Sequence, residues 1–318
     1  MAIALDALIQ LAQLLLVLML APLLTGYVRK VKAHLLRRRG APVVQPYRDL
    51  LKLIRKEVVL ADNASWVFRV APYLIVATTL VAAALVPPLA TGLAISPAAD
   101  LIAIVARLGS ARFVIALAGL DIGTSFGGIG SSREMMIASL AEPAMLMIEF
   151  TVSLLAGSTQ LSSVASFMQS PDVGLRVSLA MSLMALIMVA LAENARIPVD
   201  NPATHLELTM IHEAMILEYS GRHLAVIEMA SSLKLLLYLS LISCIFVPWG
   251  VATAGQGFTA YAIGLGFYVL KLAMGGFLLA VFETVTAKMR VFRVSDFLGV
   301  ALMLGLLAAL LLFVSRSV

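Results

Sequence analysis

Cysteine, histidine and charge are all scarce in this 318-residue chain. Its one cysteine, Cys244, excludes an internal disulfide and falls short of the roughly four thiolates that hold an iron–sulfur cluster. Polar stretches are also short, and none approaches the ~50 residues of a separate domain. We therefore expect no redox cofactor on cysteine ligands and no large catalytic domain outside a membrane.

Charged residues make up 13% of the chain, against about 25% in a typical soluble domain. Hydrophobic residues make up 61%, where about 45–50% is usual. So few charges cannot cover the surface of a soluble fold of this size. The composition predicts an all-α integral membrane protein, because the apolar runs are continuous and about twenty residues long, unlike barrel strands of about ten.

Apolar runs long enough to cross a bilayer occur about eight times. The third run is the weakest, because Arg107 and Arg112 lie inside it. The prediction is a single membrane domain over residues 1–318, with its first helix retained and not removed as a signal peptide. The predicted spans are about 3–28, 68–90, 98–118, 134–157, 174–192, 223–248, 258–282 and 296–315.

Most of the 23 lysines and arginines fall in alternate connections between these spans. By the positive-inside rule these connections are cytoplasmic, and both termini are predicted on the outer side. The net charge of +5 therefore follows from topology and indicates no nucleic-acid role. The predicted cytoplasmic loops are about 29–67, 119–133, 193–222 and 283–295.

The first of these loops contains an amphipathic pattern. Tyr47, Leu50, Leu51, Ile54 and Val58 recur at helical spacing, with basic and acidic residues between them. The pattern predicts a helix lying at the membrane interface. Two interpretations stay open: a surface helix anchored by anionic lipid, or a docking surface for a cytoplasmic partner protein or a lipid-like substrate.

Placing a charged carboxylate inside a membrane span costs about 2.5–3.5 kcal/mol or more of insertion free energy, so such residues are functional candidates. Glu142 and Glu149 are seven residues apart, which places them on one helix face about 10 Å apart. Lys234 lies inside a later span. Static ion pairs between helices and a hydrated proton path both explain such residues.

Other chemistry is not supported by the residue patterns. The glycine-rich run at 123–130 lacks the Lys-Ser/Thr of a phosphate loop. His205, Glu207, His212 and Glu213 do not have zinc-protease spacing. No metal site is predicted.

Two long motifs carry a family resemblance. Residues 121–134 read DIGTSFGGIGSSRE and continue to Glu142-Pro143. Residues 193–202 read ENARIPVDNP and are followed by Glu207-Leu208 and by EYSG at 218–221. The second motif resembles the signature loop of the complex I subunit 1 family. The first is similar to the hydrogenase branch of that family, the membrane anchor subunits of formate hydrogenlyase and hydrogenase-4 type complexes.

The resemblance implies a non-catalytic membrane subunit of a bacterial or archaeal cytoplasmic membrane. Such a subunit anchors a peripheral arm with hydrogenase-like large and small subunits, which carry iron–sulfur clusters and in this branch a nickel–iron centre. It also adjoins antiporter-like membrane subunits and couples electron transfer to proton translocation through buried acids.

Two sets of candidate residues result, one from the buried acids and one from the loops. In the first motif, Arg133 matches a position of the loop before the fourth predicted span, and Glu142 matches the carboxylate of that span. In the second, the charged positions of the signature loop are matched by Glu193, Arg196, Asp200, Glu207 and Glu218. The proton-path set is Glu142, Glu149, Glu193, Asp200, Glu207, Glu213, Glu218 and Lys234. The docking or loop-structure set is Arg133, Glu134, Arg196, Asp121, Arg39 and Gln45.

The chain departs from the quinone-reducing members, which usually carry acids where it has Ala203 and His205. A quinone site is therefore not expected. Two alternatives stay open: a quinone-site subunit of a NADH dehydrogenase-like complex, and a stand-alone secondary transporter. A transporter of that kind often has inverted repeats, which the sequence does not display.

Overall fold

Each predicted apolar run contains an α-helix in the computed structural model, which describes residues 2–87, 90–91, 96–170, 176–197, 210–253, 258–286 and 293–317. Between the long helices lie three short ones, α2, α6 and α8. The helices of the described residues are α1 Ala2–Leu35, α2 Gln45–Ile54, α3 Trp66–Leu85, α4 Leu101–Asp121, α5 Ser125–Ala156, α6 Leu161–Met168, α7 Val177–Glu193, α8 His212–Ile216, α9 Gly221–Phe246, α10 Phe258–Val285 and α11 Arg293–Ser317.

The described helices confirm an all-α membrane protein. Seven of them are long and apolar enough to cross a bilayer, namely α1, α3, α4, α5, α9, α10 and α11. The eighth predicted span, α7, has 17 residues. At a rise of ~1.5 Å per residue it is about 25 Å long, slightly less than the ~30 Å hydrocarbon thickness.

The glycine-rich run is helical, so the predicted loop at 119–133 is wrong. Helix α4 continues to Asp121 and α5 already starts at Ser125. The Thr124 hydroxyl caps α5 by accepting from the Gly127 amide at 3.2 Å. A Cβ on Gly127 would lie 2.2 Å from the Gly119 carbonyl oxygen, so this glycine lets α5 begin directly against the end of α4.

The amphipathic helix predicted in the first loop is confirmed as α2. Its Pro46 is buried, whereas Leu51 and Ile54 are exposed. It packs against α1 and α9. The Tyr47 hydroxyl donates to the Met19 carbonyl, and burial raises the pKa of Tyr47. The helix is therefore attached to α1, with apolar side chains left for the interface.

Helix α5 is central to the bundle, because it packs against α4, α7, α8 and α11. Helix α9 in turn packs against α1, α2, α3 and α7. At the predicted outer end, β1 Ala90–Thr91 and β2 Ala252–Thr253 form a short parallel pair. Because these helices pack together, charged residues on α4, α5, α7 and α9 face one interior region.

Candidate functional site

Five charged residues from four helices meet inside the bundle. Arg112 of α4 is the centre, and its side chain is only 2% exposed. Its Nε lies 3.3 Å from Oε1 of Glu134, and its Nη1 lies 3.9 Å from Oε1 of Glu142. Its Nη2 contacts Glu193, whose other carboxylate oxygen lies 2.8 Å from Lys234 Nζ. We call Arg112, Glu134, Glu142, Glu193 and Lys234 the Arg112 cluster.

The Arg112 cluster has more acid than base. Three carboxylates face one guanidinium and one ammonium group, so one negative charge is uncompensated when all five are ionised. Uncompensated buried charge is costly in a low-dielectric interior. The cluster can hold one additional proton without creating a new unpaired charge.

Two small cavities border the cluster. The first has a volume of about 50 Å³ and is lined by Arg112, Glu134, Glu193, His212 and Lys234 among others. The second, of about 30 Å³, is lined by Glu134, Glu193, His212 and apolar neighbours. Each cavity exceeds the roughly 10–15 Å³ that one water molecule needs, so each has room for water. His212, at the start of α8, lies on both cavities.

Helix α8 is held against α5 next to this region. The Nη1 atom of Arg133 donates to the Met210 carbonyl oxygen at 2.8 Å. A Cβ on Gly130 would lie 2.9 Å from both the Ala214 Cβ and the Ile211 carbonyl oxygen. The absence of a side chain at Gly130 therefore permits the close approach that places His212 beside the cluster.

Glu142 also faces the outside of the bundle. Its side chain is 45% exposed and lines a groove of about 670 Å³ between α4 and α5. Small residues, among them Gly109 and Ser139, form much of the groove. The Glu142 carboxylate lies over Gly109, where a Cβ would be 3.2 Å from Oε1. Glu142 thus connects the interior cluster with the lateral surface.

Glu149 has different surroundings from Glu142, although both lie on α5. It is buried, and neither carboxylate oxygen has a hydrogen-bond partner among the described residues. The structure therefore places the two acids in separate environments, one polar and one apolar.

A second ion-pair group lies at the end of α10. The two oxygens of Glu283 pair with Lys32 Nζ at 2.6 Å and with Arg196 Nη1 at 3.2 Å. Glu283 is nearly buried, whereas both cations are partly exposed. This group joins α1, α10 and the segment that follows α7.

The remaining predicted residues lie apart from the Arg112 cluster. Glu213 and Glu218 are exposed, as is Arg39. Asp121 accepts from the Ser65 amide at 3.0 Å, and Gln45 donates to Asp49 at 2.8 Å, so both have local structural contacts. Asp200 and Glu207 lie outside the described residues.

A ring stack supports the start of α9. Phe68 and Tyr219 lie with their centroids 3.8 Å apart, and the Tyr219 hydroxyl donates to the Phe68 carbonyl at 3.0 Å. Burial, reinforced by the nearby Asp121, raises the pKa of Tyr219 well above its usual range. Tyr219 is therefore a neutral, structural contact.

Arg112 was not among the predicted site residues. In the sequence it weakened the third span and was one of four basic residues in or near spans, with Arg107, Lys234 and Lys271, that could pair with the acids. The available signal was its position inside an apolar run, since a buried arginine requires carboxylate partners. Among the described residues, no group of three or more His, Cys, Asp or Glu side chains is arranged to hold a metal ion.

Comparisons with known proteins match nearly the whole chain. The family described as NADH dehydrogenase matches residues 8–314. Formate hydrogenlyase subunit 4 of Escherichia coli (strain K12) is 34% identical over 283 residues, which cover 88% of this chain and 90% of that protein. Hydrogenase-4 component C of the same organism is 33% identical over 246 residues, covering 76% of each chain.

The fold is also found in a solved structure of an archaeal respiratory membrane complex, the membrane-bound sulfane sulfur reductase. The match has a TM-score of 0.77 and covers 96% of this chain and 98% of that chain, at 19% sequence identity. At this identity the likeness is informative about the fold.

Proposed function

Because this chain belongs to the NADH dehydrogenase family, we propose that it is a membrane subunit of a complex I-like energy-converting redox complex and that its Arg112 cluster couples redox chemistry to proton movement. Its relatives in formate hydrogenlyase and hydrogenase-4 support a peripheral arm of the hydrogenase type. The iron–sulfur clusters, and the nickel–iron centre where present, belong to that arm. Antiporter-like membrane subunits are the other expected partners.

The observation that carries the proton role is the composition of the Arg112 cluster. It holds three carboxylates and two cations, and it borders cavities with room for water. A cluster that served only to join helices would be most stable with balanced charge. An excess acid beside space with room for water is instead suited to take up and release a proton.

The position of the cluster supports a link to the peripheral arm. Glu193 is the last residue of α7, and the chain then enters the predicted cytoplasmic loop. His212 begins α8 beyond that loop and lines both cavities. A change of charge at the cytoplasmic face would therefore act on the cluster through residues that flank this loop.

The proposed orientation rests on the distribution of basic residues. It places the 29–67 and 193–222 connections in the cytoplasm and both termini outside, in a bacterial or archaeal cytoplasmic membrane. Two exposed tryptophans agree with the predicted span ends, because Trp66 opens α3 and Trp249 follows α9, and tryptophan is enriched at both membrane interfaces.

The test measures proton translocation by the purified complex in liposomes. The tagged chain should first copurify with soluble iron–sulfur subunits; isolation of a single active transporter would contradict the proposal. Glu193→Gln should then leave electron transfer in the arm intact while lowering protons moved per electron at least about tenfold. Asp62→Asn, at an exposed acid that belongs to neither set of candidate residues, is the control. Unchanged translocation in Glu193→Gln would remove the proposed role.

A further inference from the structure

An apolar cleft lies between α7, α9 and α10. Its volume is about 320 Å³, within the range of ligand-binding cavities. Ala190 lines it from α7, Tyr238 and Ile242 from α9, and Gly275 and Leu278 from α10. Leu278 is 59% exposed, so the cleft opens at the lateral surface of the helix bundle. We call it the α7–α9–α10 cleft.

One end of the cleft is polar and positively charged. Arg196 lines that end, together with Asn194. Arg196 and Lys32 share the single carboxylate of Glu283, which leaves an excess of one positive charge. The cations are 23% and 41% exposed, so this excess is accessible.

The dimensions fit a chain with an anionic head. Leu235 lies near the charged end and Ile242 near the other; at ~1.5 Å per residue the apolar wall between them is about 10 Å long. The apolar wall matches hydrocarbon, and the cationic end lies on the predicted cytoplasmic side, where lipid phosphates are found. A quinone head carries no charge and would leave the excess cation uncompensated.

We propose that the α7–α9–α10 cleft is a specific binding site for an anionic phospholipid, with one acyl chain in the cleft and the phosphate beside Arg196 and Lys32. The lipid charge offsets the excess positive charge there. The acyl chain fills apolar space that would otherwise lower the stability of the packing between α7, α9 and α10. The proposal does not depend on the role of the Arg112 cluster in proton transfer.

The test uses the intact complex in detergent, with phosphatidylglycerol as the probe. We expect native mass spectrometry to show retained phosphatidylglycerol in the wild type. Ala190→Phe, which fills the cleft, and Arg196→Gln, which removes the cation, should each weaken its binding at least about tenfold. Ala180→Phe is the matched control, since Ala180 is an exposed position on the same helix that does not line the cleft.

Added lipids separate the components of the site. After delipidation, phosphatidylglycerol should raise the thermal midpoint of the wild type, whereas equimolar phosphatidylcholine or inorganic phosphate should have little effect. Equal binding of phosphatidylglycerol to wild type and to Ala190→Phe and Arg196→Gln complexes of normal assembly would overturn the proposal. Stabilisation by inorganic phosphate or by a quinone equal to that by phosphatidylglycerol would also overturn it. So would the finding that a helix of another subunit covers the cleft.

Discussion

Replacing Arg112 with methionine removes the cation on which three carboxylates converge. Methionine keeps most of the side-chain length and the apolar contacts, so the change is chiefly one of charge. Glu134, 3.3 Å away, and Glu193, in contact with the guanidinium, would lose this partner. Lys234 would remain as the cluster's other cation.

The expected loss follows from the distances. With an effective dielectric constant of ~20, the attraction between unit charges at 3.3 Å is about 5 kcal/mol before desolvation is subtracted. Removing one partner of a buried ion pair typically costs roughly 3–5 kcal/mol, because a buried charge is left uncompensated. We therefore expect Arg112→Met to lower stability by about 3 kcal/mol or more, a large part of the ~5–15 kcal/mol of a typical domain.

The assay is the temperature at which half of the purified complex leaves the monodisperse peak after heating. Arg112→Met should lower this midpoint by roughly 6–12 °C, using the ~2–4 °C per kcal/mol seen in domains of 150–250 residues. Arg107→Met is the control, because Arg107 is exposed on the same helix and has no ion pair among the described residues. It should change the midpoint little.

A second substitution tests whether the loss comes from the ion pairs. Combining Arg112→Met with Glu193→Gln should recover part of the midpoint, since one unpaired acid is then neutral, with a coupling of about 0.5–3 kcal/mol. Equal midpoints for Arg112→Met and Arg107→Met would refute the reasoning. Full additivity of the two single changes would show that Arg112 and Glu193 do not stabilise one another.

Two further predictions concern the packing of α8 on α5. Gly130→Ala should destabilise the protein by roughly 1–3 kcal/mol, because the added Cβ would lie 2.9 Å from the Ile211 carbonyl oxygen. Gly128→Ala is the control: its Cβ would meet nothing within 4 Å, so it should stabilise the protein by roughly 0.5–1 kcal/mol. A thermal midpoint that rises for both variants would contradict this. Arg133→Ala removes a charged hydrogen bond to the Met210 carbonyl worth about 1.5–3 kcal/mol, so amide exchange over residues 210–217 should accelerate about tenfold or more. The exposed Arg222→Ala serves as its control, and unchanged exchange would show that Arg133 does not hold the segment.

The apolar runs predicted the spans well because each run had to satisfy its own backbone in lipid, a constraint that is local in sequence. The packing of helix termini is not local. The glycines at 127 and 130 indicated a loop by composition, yet they are small so that α4 and α8 can approach α5 closely. Which side of a helix meets a neighbour depends on pairings that one sequence does not display.

The candidate site had the same limit. Glu193 and Lys234 were predicted as separate members of a path, and the structure places them 2.8 Å apart. Glu134 was assigned to loop structure but lies against Arg112. Their charge made them conspicuous in an apolar chain, and that information is in the sequence. Their partners come from other helices at distant positions, so the arrangement required the tertiary structure.

The end of α7 connects the two charged regions of the molecule. Glu193 belongs to the acid-rich Arg112 cluster, and Arg196, three residues later, belongs to the base-rich end of the α7–α9–α10 cleft. Between them, Ala195 has a φ of 50°, a left-handed conformation that costs a non-glycine residue roughly 1–2 kcal/mol. This turn ends α7: the Arg196 amide donates to the Leu191 carbonyl oxygen at 2.9 Å, the hydrogen bond that closes many helices at a left-handed residue. Glu193 and Arg196 therefore lie on either side of one turn at the end of α7, so a single short backbone segment positions a residue of each ion-pair group.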